Sequence, residues 1–201
     1  MSGAFPTSPK FRALDFKNVR PVLMNHSLSG RRVARQIGSQ YFTFSVQMPP
    51  LQYDDAMDIF AFLQKQKGGF ETFTIQYPTD NRGADKAETD IQVVSAHSAS
   101  DGTIDLDGFS TSTSGVLKAG DLISFAGHSK VYMVQADADS DGTGAATVLI
   151  EPNLVTTLAD NEAVTVNKPS FTVYLTSEEI LYNTDPSGFY NIQFEVREVI
   201  T

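Results

Sequence analysis

Between Tyr41 and Tyr77 the hydrophobic period changes from two to about 3.6 and back to two, which restricts this part of the chain to a strand, a helix and a second strand. Tyr41 to Met48 alternates aromatic and polar residues as a strand with one buried face would, and Pro49 and Pro50 end it because neither can donate to a sheet ladder. From Tyr53 to Lys67 the residues Ala56, Ile59, Phe60 and Leu63 fall three and four apart, so Ile59, Phe60 and Leu63 are the expected helix core. Asp54, Asp55 and Asp58 suit the N-terminal half-charge, Lys65 and Lys67 suit the C-terminal one, and Gly68 and Gly69 can close the helix in a left-handed cap. Phe70 to Tyr77 resumes alternation until Pro78. Ahead of the first strand, Gly30 is followed by Arg31, Arg32 and Arg35, which places three guanidinium groups beside a turn.

Aromatic residues divide the rest of the chain. From Glu88 to Lys168 only Phe109, Phe125 and Tyr132 occur, while the flanking parts hold the other eighteen. Short apolar runs at Ile91 to Val94, Thr103 to Leu106, Leu122 to Phe125, Lys130 to Val134 and Thr147 to Ile150, separated by Ser, Thr, Asp and Gly, predict a small β-barrel or sandwich. Ser170 to Leu175 and Gly188 to Val196 return to the aromatic texture, and the turn signal Asp185-Pro186-Ser187-Gly188 suggests that these two strands form a hairpin. The expected fold is therefore mainly β (α+β). A discontinuous domain of residues 1–87 and 169–201, a β-sandwich or barrel with one helix, carries an inserted small β-barrel domain at residues 88–168.

Net charge is −9, unevenly distributed. Residues 1–36 hold seven cations against Asp15 alone, a balance of +6, so the remainder is at −15. That polarity favours head-to-tail contact between copies, with the basic segment of one on an acidic face of the next. The acidic remainder opposes the basic footprint that sequence-specific nucleic-acid binding requires. No window is long and apolar enough to span a membrane, and the segment from Met1 to Pro6 lacks the apolar stretch of a signal peptide, so synthesis in a cytoplasm is expected. The chain has no cysteine, which excludes disulfides, thiolate metal sites and cysteine nucleophiles.

The most suggestive chemical motif is Asp137-Ala138-Asp139-Ser140-Asp141-Gly142, which opens like a calcium loop with carboxylates at alternate positions before a Gly. Its twelfth position is Val148 rather than the bidentate Glu of an EF-hand, so an acidic hairpin tip competes with calcium as the reading of Asp137, Asp139 and Asp141. His26, His97 and His128 are isolated in sequence. No GxSxG elbow or phosphate-binding Gly loop is present, Glu178 and Glu179 read as a solvated loop, and Gly120-Asp121 reads as a turn leading into a strand. Neither an enzyme nor a cofactor is expected.

The run Ser29-Gly30-Arg31-Arg32, Arg35, the aromatic strand, the helix ending Phe62-Leu63-Gln64-Lys65-Gln66-Lys67-Gly68-Gly69-Phe70 and the continuation Glu71 to Asn81 resemble the distal tail proteins of tailed bacteriophages and gene-transfer particles. The resemblance covers residues 27–82, with a weaker echo at the C-terminus. It implies a tail-tube-like main domain and a hexameric ring in the virion tail tip or baseplate, joining the tail tube protein to the tail-tip hub protein. Arg31, Arg32 and Arg35 would meet carboxylates of the neighbouring copy, and the insert would face outward toward fibres, adaptors or host. Two other readings stay open. One is a tail-tube or head-to-tail connector subunit built on the same strands. The other is a β module whose insert binds carbohydrate or calcium, although few aromatics are available there for sugar stacking.

Overall fold

The computed structural model describes residues 2–184 and 186–200. The chain forms two compact units: one runs to Phe73 and resumes from Val173 to Val199, and the other is Thr74–Thr172. Among the described residues the fold is mainly β with a single helix, and the second unit is a nearly closed barrel.

In the first unit, β1 (Ala13–Val19), β2 (Val22–His26), β3 (Arg32–Gln36) and β4 (Tyr41–Gln47) are followed by α1 (Tyr53–Lys65) and β5 (Phe73–Gln76). Phe42, Phe44 and Val46 of β4 are the buried alternates, and the strand ends before Pro49 and Pro50. Helix α1 starts without a side-chain cap at Gln52, so Asp54 and Asp55 in its first turn are what favours its N-terminus. It is closed by two left-handed residues, Lys67 (φ 52°) and Gly68 (φ 67°), one position earlier than the glycine pair suggested. Its buried face is Ala56, Ile59 and Leu63, continued by Gln66. Phe60, expected on that face, is only partly buried because it lies at the shoulder of the stripe.

The chain leaves this unit within β5, passes through β6 (Gln92–Val93), β7 (Thr103–Asp107), β8 (Leu122–Phe125), β9 (Val131–Val134), β10 (Ala146–Glu151) and β11 (Val164–Thr165), and re-enters within β12 (Ser170–Leu175). It ends with β13 (Leu181–Thr184) and β14 (Tyr190–Glu198). One sheet has the order β1-β4-β14-β12-β5, with β13 added on β14. Strand β5 is shorter than the expected run from Phe70, since Phe70 sits in the turn after the helix and is 79% exposed.

The C-terminal hairpin also differs from expectation. Strand β13 pairs with β14 in the register Leu181↔Gln193 to Thr184↔Tyr190, so the intervening turn belongs to β13 and not to β12. Asp185 of that turn lies outside the described residues. Strand β12 pairs with the far end of β14, Val173↔Glu198 to Leu175↔Val196. The whole of β13 is exposed, which erased the alternation that would have marked it as a strand.

The second unit has strand order β11-β8-β9-β10-β7-β6. The Val164 amide donates to the Ile91 carbonyl at 2.9 Å and the Val93 amide to the Glu162 carbonyl at 3.0 Å, which draws the first and last strands of that path together. Ile104, Leu106, Val148 and Ile150 fill the interior with Phe125 and Tyr132.

Candidate functional site

The β2–β3 hairpin is a distal continuation of the β1–β4 hairpin. Across β1 and β4 the pairing is Val19↔Tyr41, and across β2 and β3 it begins at Val22↔Gln36. Two residues on one strand therefore oppose four on the other, a bulge that re-aims the ribbon. Pro21 stands in this bend, where its missing amide costs no ladder bond, and its carbonyl accepts from the Ile37 amide at 3.1 Å. At the base, Gln40 is buried, its Nε2 donates to Asn18 Oδ1 at 2.8 Å, and its Oε1 meets no donor among the described residues.

Beyond the bend every residue of β2 and β3 is exposed. Leu23, Met24 and Val33 are 61%, 58% and 62% exposed, and the two strands form a sheet of their own. A lone two-stranded ribbon is marginal in water, and one this apolar on its surface is suited to being covered. The ladder also separates the arginines. Arg32 and Arg35 sit three apart on one strand and so point to opposite faces, Arg35 opposite Leu23 and Arg32 opposite His26. Arg32 donates to Met24 Sδ at 3.2 Å within the hairpin. Arg31 lies at the turn, where its amide donates to Ser27 Oγ at 3.2 Å. Arg32 and Arg35 are thus turned to opposite faces of the ribbon, a separation that their closeness in sequence conceals.

A second surface lies along one shoulder of α1. Phe60 meets Tyr182 edge-on at 5.0 Å between ring centroids, Tyr53 meets Tyr190 at 5.7 Å, and Tyr182 meets Tyr190 at 5.7 Å. Tyr53 and Tyr182 remain 60% and 41% exposed. Asp54, Asp55 and Asp58 are exposed on the same helix. By contrast, Phe5 is buried and gathers Phe11, Phe62, Phe73 and Phe194 within 5.4 to 6.4 Å, so the aromatic core of this unit is distinct from the aromatic shoulder.

In the second unit the carboxylates hold loops. The Asp121 carboxylate, 2% exposed, accepts from the backbone amides of Arg82 at 2.8 Å, Gly83 at 2.9 Å and Lys118 at 2.9 Å. Beside it, Asn81 donates to the carbonyls of Leu122 and Val166 and accepts from the Leu122 amide, and its own amide is held by Asn167. This clasp joins the segment entering the barrel to the one leaving it. Only the Gly120-Asp121 turn was visible in sequence; the reach from Asp121 to Arg82 is a property of the fold.

Asp137, Asp139 and Asp141 serve three different pieces of backbone. Asp137 accepts from the Ala119 amide and from Lys118 Nζ, both at 2.9 Å. Asp139 accepts from the Gly115 amide at 2.6 Å and the Ser114 hydroxyl at 2.8 Å. Asp141 accepts from the Thr143 amide and hydroxyl at 2.7 Å and from the Ala145 amide. Each is held below the ordinary aspartate value, mainly by the Ala119 amide, the Gly115 amide and the Thr143 hydroxyl respectively. Their oxygens are turned to loop donors and not to a common centre, and no group of three His, Cys, Asp or Glu side chains converges among the described residues. Phe109, Phe125 and Tyr132 are all inside the barrel, so none of the three supplies an exposed face for stacking on a sugar.

The comparison with known families bears on this clasped, nearly closed barrel. Residues 83–169 match the family model described as distal tail protein pb9, B domain, which agrees with the resemblance of residues 27–82 to the distal tail proteins. No curated protein matches the chain. No helix among the described residues is long and apolar enough to cross a membrane.

Proposed function

We propose that this chain is a bacteriophage distal tail protein, a virion ring subunit, hexameric as the resemblance of residues 27–82 implies, that joins the tail tube to the tail-tip hub; the match of residues 83–169 to a distal tail protein domain supports the family. In this reading the unit that runs to Phe73 and resumes at Val173 builds the ring, and the barrel is the part offered to fibres or adaptor proteins. The observation that carries the reading is the β2–β3 hairpin, whose apolar side chains Leu23, Met24 and Val33 are more than half exposed. A ribbon of about five residues per strand reaches roughly 15 to 20 Å, far enough to lie on an adjoining subunit. Its cations and the acidic remainder of the chain give the contact a direction, and a directed contact repeated around an axis closes a ring. The role is one of adhesion and not of catalysis.

Negative-stain imaging of the purified full chain over a concentration series, with mass from light scattering, tests this. Closed rings of six copies are expected. Open tubes of increasing length would assign the chain to the tail tube instead, and a monomer at every concentration would count against self-assembly as its function.

A further inference from the structure

We propose that the aromatic shoulder formed by Tyr53, Phe60, Tyr182 and Tyr190 is the seat for the β2–β3 hairpin of a second copy of this chain. The inference rests on the ring reading and specifies which two surfaces meet. Both belong to the same structural unit, and each lacks what the other offers. The shoulder presents aromatic surface: Phe60 with Tyr182 and Tyr53 with Tyr190 meet edge-to-face, Tyr182 with Tyr190 is tilted, and Tyr53 and Tyr182 remain about half in water. The hairpin presents aliphatic side chains, with Leu23 and Val33 more than 60% exposed on the face that also carries Arg35.

Charge gives the pairing its sign. Between Phe16 and Gln40 the chain has Lys17, Arg20, Arg31, Arg32 and Arg35 and no Asp or Glu. Helix α1 bears Asp54, Asp55 and Asp58 before its first cation, Lys65. A guanidinium on tyrosine faces beside carboxylates gains cation–π and charge-assisted contacts together. The chain already uses such stacking, with the Arg197 guanidinium 3.7 Å from the centre of the Tyr41 ring. The face of the hairpin is also determined. Arg32 is engaged with Met24 on the opposite side, so the docking face is that of Leu23, Val33 and Arg35. Because the donor patch and the acceptor patch differ, the contact is heterologous and propagates from copy to copy.

The absence of cysteine permits a direct test with the full chain. Leu23→Cys and Tyr53→Cys are made separately, as is a control, Leu149→Cys, on an exposed position of the barrel. Proteins are mixed in pairs, oxidised and resolved by non-reducing electrophoresis, with the oligomer measured in parallel by light scattering. A disulfide between Leu23→Cys and Tyr53→Cys copies, absent from the mixture with the control, supports the docking. Assembly without that cross-link overturns the docking and leaves the ring reading intact, whereas a wild-type chain that stays monomeric overturns both. Arg35→Glu should weaken self-association by about tenfold, while Arg32→Glu changes it little. Equal losses from the two would overturn the assignment of the docking face.

Discussion

Asp121 illustrates how one side chain can hold a loop crossing. Its carboxylate satisfies three amides from two segments far apart in sequence, so Asp121→Ala strands those amides in a site with little access to water. The expected cost is about 1 to 3 kcal/mol, measured by urea unfolding of the full chain, with Asp121→Asn losing less because one acceptor oxygen remains. Leu63 and Phe60 separate a core position from a shoulder position on one helix. Leu63→Ala should cost about 2 to 5 kcal/mol, and Phe60→Ala roughly 1 to 2 kcal/mol because its ring is partly solvated already. Comparable losses would mean that the shoulder is as tightly packed as the core.

The Asp137 to Asp141 loop responds to pH as a unit. All three carboxylates are lowered in the folded state, so they add stability above the ordinary aspartate value, and that contribution is lost as pH falls through their folded values. The unfolding midpoint of the barrel should therefore drop on acidification from about pH 5 downward, and Asp139→Asn should flatten part of that slope. Calcium should leave the midpoint unchanged, because no two of these carboxylates share a centre; a calcium-dependent rise would restore the metal reading. The clasp makes a parallel prediction about boundaries. A fragment of residues 79–169 keeps Asn81 and its four hydrogen bonds, whereas one of residues 83–169 loses them, so the longer fragment should melt at the higher temperature.

At the scale of the whole molecule, charge polarity bears on the proposed association. If the basic hairpin meets an acidic neighbour at a solvated surface, self-association should weaken as salt rises from about 0.05 to 0.5 M, since the screening length falls severalfold over that range. Light scattering at the two ionic strengths checks it. An oligomer indifferent to salt would mean that apolar burial by Leu23 and Val33 dominates and the arginines are bystanders.

The elements that were legible in the residues are those with one face in oil and one in water. Strand β4 and helix α1 announce themselves through Phe42, Phe44, Val46, Ile59 and Leu63, because burial on one side imposes a period on the chain. The aromatic-poor composition of residues 88–168 likewise set that segment apart as short strands, since three rings cannot fill a sheet of the neighbouring kind. Strands β2, β3 and β13 are exposed along their whole length, so no period betrays them, and only pairing with a partner strand makes them strands. The placement of Arg32 and Arg35 on opposite faces, the joining of Asp121 to Arg82 and the meeting of Phe60 with Tyr182 depend on register and topology. Those are decided by contacts between residues remote in sequence, where local preference has no say.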